Sequence, residues 1–117
     1  MPNWQPNRNP VRWDWGAASE AAAALERAAA RIEETLHERL RLAAEAQQEW
    51  RGRYRDQFDG DLERIKTRAR QLVDEYRAKA HEIRSASDRA LQEKHRREAE
   101  IARWEREKAE EDRRRRN

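Results

Sequence analysis

Two places in this chain begin like a zinc site. His37-Glu38 and His81-Glu82 each start the His-Glu-x-x-His pattern, in which two imidazoles one helical turn apart hold the metal and the glutamate serves as base. Arg41 and Ser85 stand where the second histidine is required, so both histidines read as ordinary helix-surface residues. Ser19, Ser85 and Ser87 have no base and orienting group arranged around them, and the three glycines are too scattered to cradle a phosphate. The absence of cysteine removes thiolate nucleophiles, thiolate metal sites and disulfides. Carboxylates abound, but on solvated helices none is placed in a cleft that would raise its pKa. The sequence therefore predicts a non-enzyme, with no catalytic residue, metal, cofactor or small-molecule substrate.

Charge points the same way. Net charge is +3, yet 44% of residues are charged, which describes a surface of mixed sign better than a nucleic-acid footprint. Arg96-Arg97 and Arg113 to Arg116 are basic clusters, but acidic residues interrupt every basic stretch except the last. A phosphate backbone needs a continuous basic face, so nucleic acid is disfavoured as a partner. The longest purely apolar run is Ala21 to Leu25, and the sequence predicts neither a transmembrane segment nor a cleaved signal peptide.

Long helices must position whatever the chain presents. Ala17 to Arg51 and Asp61 to Asn117 contain no Gly or Pro, and Ala, Glu, Lys, Leu and Arg make up 71 of the 117 residues. These are the strongest helix formers. The reading is all-α: an antiparallel two-helix hairpin, with helix 1 over about 17–50, a turn near 51–54 and helix 2 over about 55–114. Helix 1 carries Ala22, Leu25, Ala29, Ile32, Leu36, Ala43 and Trp50 at steps of three, four or seven. Helix 2 carries Phe58, Leu62, Ile65, Ala69, Leu72, Tyr76, Ile83, Ala90, Ile101 and Trp104, most of them on a similar ladder, where Lys79 interrupts the apolar line. Leu, Ile, Val and Phe total only 14 residues, so the core is thin and calls for a partner or a clamp.

Residues 1–16 form a separate arm holding all three prolines and three of the five tryptophans, and they read as extended. Asp14 or Ser19 is placed to cap the helix that follows. Helix 2 is the longer, so the start of helix 1 should lie beside residues 88–94, leaving an overhang with no facing helix. The arm runs in that direction, and Trp4, Trp13 and Trp15 are expected to pack there against Leu91, Ile101 and Trp104. A frayed arm would instead expose three indoles as an adhesive patch.

Trp50-Arg51-Gly52 sits at the break between the helices, where Gly52 supplies the freedom to end one and start the return. A helix, Trp-x-Gly and a second helix within about 100 residues resemble the WXG family of small type VII (ESX) secretion proteins. The segment Trp50-Arg51-Gly52-Arg53-Tyr54-Arg55-Asp56-Gln57-Phe58 is similar to its actinobacterial members. The resemblance covers residues 17–105 and implies a hairpin that pairs with itself or with another hairpin as a four-helix bundle. It also implies a cytoplasmic protein exported without a cleaved leader through a membrane ATPase machine, or the docking module of a larger effector. Carried over, Trp50 and Gly52 would be the turn pair and Phe58 an early core residue of helix 2; the apolar stripe itself offers Tyr54, Phe58, Leu62, Ile65, Leu72, Tyr76 and Ile83 as seam or partner residues. Family substrates often carry Tyr-x-x-x-Asp/Glu after the second helix. Here Phe58 follows Tyr54 and Ala80 follows Tyr76 at that spacing, so a partner would supply the signal. The alternative is a structural coiled coil unrelated to secretion, and a basic helical nucleic-acid binder ranks third.

Overall fold

A computed structural model describes residues 2–117. The described residues form two helices, α1 (Trp15–Glu49) and α2 (Arg53–Arg116), joined at Trp50–Gly52. Helix α1 starts two residues before the expected Ala17, which puts Asp14 at the N-cap position and Ser19 inside the helix. Gly60 lies within the first turns of α2.

Gly52 has a φ of +102°, a conformation that costs glycine nothing and any side chain a steric penalty. Its carbonyl oxygen accepts from the Arg55 and Asp56 amides at 3.1 and 3.3 Å, which launches α2. The carbonyls left open at the end of α1 go to arginine. Arg55 Nη1 donates to Gln47 O at 2.6 Å and to Trp50 O at 2.9 Å, and Arg51 Nη1 donates to Gln47 O at 3.1 Å. Asp59 holds Arg55 in place at 2.9 Å and accepts from Gln47 Nε2 at 2.6 Å.

The chain divides into two compact units: Gly16–Arg84, and the arm up to Trp15 with Ser85–Asn117. The arm thus groups with the later half of α2. In Gly16–Arg84 the two helices run antiparallel, since Glu26 pairs with Arg84 and Glu33 with Arg77. Their seam is built from small residues. Ala22, Ala29 and Ala43 of α1 and Val73 and Ala80 of α2 are buried. Alanine lets two helices approach closely, so one position turned inward rather than its bulkier neighbour sets the register. The inward face of α2 keeps Leu62, Ala69, Tyr76 and Ile83 of the expected ladder and adds Val73 and Ala80 as its buried positions. Tyr54 and Ile65 lie outside it, at 65% and 54% exposure, and Phe58, Leu62, Leu72, Tyr76 and Ile83 are half-buried.

Candidate functional site

The turn is where the expected Trp-Gly pair falls. Trp50 stacks obliquely on Phe58 with ring centroids 5.2 Å apart, yet remains 39% exposed. The Arg55–Asp59–Gln47 network beside it was not anticipated from the sequence. The Arg55 hydrogen bond, with a smaller contribution from Gln47, holds the Asp59 carboxyl below its ordinary range.

The two edges of the Gly16–Arg84 hairpin differ. One is bridged: Arg77 reaches Glu33 at 2.8 Å and Arg84 reaches Glu26 at 3.1 Å, one heptad apart on each helix. The groove on that edge has residues of both signs in its walls, Glu33 and Asp74 with Arg70. The other edge holds a groove of about 450 Å³ lined by Ala28, Ile32, Thr35, Leu36, Ile65, Ala69 and Tyr76. Its only charged lining residues are Arg31 and Arg39, and no carboxylate contributes to it. Leu42, one heptad beyond Thr35 on the same face, is 50% exposed. An apolar trough along two parallel ridges is the shape that accepts a third helix.

In the unit formed by the arm and Ser85–Asn117, every tryptophan donates its indole N–H. Trp15 Nε1 donates to Ser87 O at 3.0 Å and Trp13 Nε1 to Ser87 Oγ at 2.9 Å. Trp4 Nε1 donates to Glu107 Oε2 at 2.7 Å, while Trp104 Nε1 returns a bond to Trp4 O at 2.9 Å. Between them Arg97 Nη1 donates to Asn9 O at 2.9 Å. Partner numbers on α2 rise from 87 to 107 as arm numbers fall from 15 to 4, so the arm runs antiparallel to the helix. Twenty helical residues span about 30 Å, which eleven extended residues match at about 3.1 Å each.

Cations cover the rings. Arg103 lies 4.6 Å from the Trp4 centroid, Arg8 and Lys108 lie 4.9 and 5.3 Å from that of Trp104, and Lys94 lies 5.8 Å from that of Trp15. Trp104 is buried at 7% exposure, together with Pro2 and Pro6. Ile101 is half-buried. Leu91 is not covered as expected and stays 40% exposed, because Trp13 and Trp15 both aim at Ser87, one turn earlier. Trp4, followed by Arg103, holds the Glu107 carboxyl below its ordinary range. Arg96 and then Arg97 lower that of Glu93 to about 2.

Among the described residues no group of three or more His, Asp or Glu side chains is placed to hold a metal ion. Among the described residues no helix is long and apolar enough to cross a membrane. Residues 11–94, more than two thirds of the chain, match the WXG100 family, described as proteins of 100 residues with WXG. No curated protein and no solved structure matches.

Proposed function

We propose a pairing role for this chain, which belongs to the WXG100 family and is thus a type VII secretion-associated small helical protein. It acts as a substrate, co-substrate or effector-targeting subunit by docking the open edge of its hairpin against a helical partner. The observation that carries this reading is the difference between the two edges. Ion pairs staple one, whereas the other leaves Ile65 and Leu42 exposed beside an apolar groove. Burying a side chain such as Ile65 against a partner contributes about 2 kcal/mol, and several along one groove suffice for stable association. Tyr54 and Leu72 extend the available apolar surface, and the Trp50–Gly52 turn fixes how the two ridges line up.

Secretion in a host that carries the type VII machinery tests this. Ile65→Asp changes an exposed position, so thermal stability should stay within about 0.5 kcal/mol of the parent. Export should nevertheless fall sharply. Undiminished export of a folded Ile65→Asp protein would refute the docking role.

A further inference from the structure

We infer that the open groove takes a helix from a different chain, with an apolar stripe flanked by carboxylates that engage Arg31 and Arg39. This deepens the docking role proposed above and rests on it. The argument is one of charge. Arg31 and Arg39 line the groove, and among the described residues neither has an ion-pair partner. On the opposite edge Arg77 and Arg84 each pair with a glutamate, and Arg70 shares its groove with Glu33 and Asp74. The groove thus couples an apolar floor to two unanswered guanidiniums and no carboxylate.

Arg31 and Arg39 are eight residues apart on α1, about 12 Å along the axis. A helix lying in the groove meets that spacing with acidic residues seven or eight apart, beside a stripe at i, i+3, i+4 and i+7. Guanidinium and carboxylate then form charge-assisted pairs at the rim, while Ile32, Ile65 and Tyr76 receive the apolar side chains.

The same arithmetic disfavours a second copy in this groove. A two-fold pair laying groove on groove would bring four guanidiniums together with no groove-lining carboxylate to answer them. Like charges set against each other suppress a partner, so the lining that recruits an acidic helix also repels its own kind.

Two synthetic helical peptides of about three heptads test this on the full chain. They share one Leu/Ile stripe and differ only at the flanking positions, Glu in one and Lys in the other. Fluorescence anisotropy should show the Glu peptide binding about tenfold or more tighter, with the gap narrowing as salt is raised. The variant R31E/R39E should reverse the preference while keeping the helical circular dichroism. Equal affinity for the two peptides, abolished by Ile65→Asp but unmoved by R31E/R39E, would overturn the acidic specificity and leave the docking edge standing. Binding insensitive to Ile65→Asp, or no binding of either peptide, would overturn both. Self-association of the chain alone that Ile65→Asp abolishes would also overturn the inference, since the groove would then be taking a second copy.

Discussion

The two units solve the same problem, a long polar helix with little to bury, by opposite means. The Gly16–Arg84 hairpin relies on shape: alanines and Val73 bring two helices close, and large side chains are left over on one edge. The arm and Ser85–Asn117 rely on large rings with directional groups. Three arm indoles donate an N–H to the helix, and Trp104 of the helix donates one back to the arm. The second arrangement leaves Trp13 and Leu91 partly exposed, at 37% and 40%, but buries Trp104 at its centre. The first leaves a groove. A small-residue seam is a way to keep a face available, and an aromatic clasp is a way to close one.

Substitutions that reverse these strategies should separate the units. Trp104→Ala should have the largest effect, about 3 kcal/mol, because it empties the buried centre of the clasp and removes the donor to Trp4 O. Denaturant unfolding followed by tryptophan emission should show the arm released at low denaturant, ahead of the helical signal. Ala80→Leu attacks the hairpin instead. Ala80 is fully buried, so the added methylenes must push the helices apart at a cost of about 2 kcal/mol. Gly52→Ala should cost about 1 kcal/mol purely through backbone strain, since an added Cβ meets nothing within 4 Å. Both hairpin variants should lower the midpoint of helical unfolding and leave the arm's indole emission in place.

Acid should produce the smallest and most selective change. Glu107 and Glu93 have depressed carboxyl pKa values in the folded chain, and Glu93 also holds Arg97, the donor to Asn9 O. A depressed carboxyl stabilises the folded state above the unfolded value of about 4.5 and loses that contribution as pH falls through the folded value. For Glu93 the folded value is about 2. Indole emission should therefore hold steady from pH 8 to 5 and shift to the red between pH 4.5 and 2 as the arm loosens. Glu26 and Asp59, lowered by Arg84 and Arg55, give the hairpin a weaker response of the same sign.

Much of the fold was legible because helix propensity, the Trp-Gly break and the apolar spacing agree. The start of helix 1 was expected beside residues 88–94 from rise per residue alone, and Trp15 contacts Ser87, one residue short of that range. The seam was harder to read. A ladder built from large apolar residues passes over Val73 and Ala80, because closeness of approach rewards small side chains that a hydropathy pattern underweights. The seam that results leaves Ile65 at the surface. The Arg55–Asp59–Gln47 network was equally hidden, since an i,i+4 Arg–Asp pair is commonplace in a chain this charged. Only the turn gives it three carbonyl and amide partners to organise. The unequal edges depend on both registers at once, and no single helix records them.

Site-specific photo-crosslinking in a host with type VII machinery tests the account most directly. A photoreactive residue replacing Ile65 sits on the open edge, and one replacing Arg77 sits on the bridged edge. The account predicts a discrete crosslinked partner from position 65 and none from position 77. Equal adducts from both positions, or an adduct from position 77 alone, would contradict it.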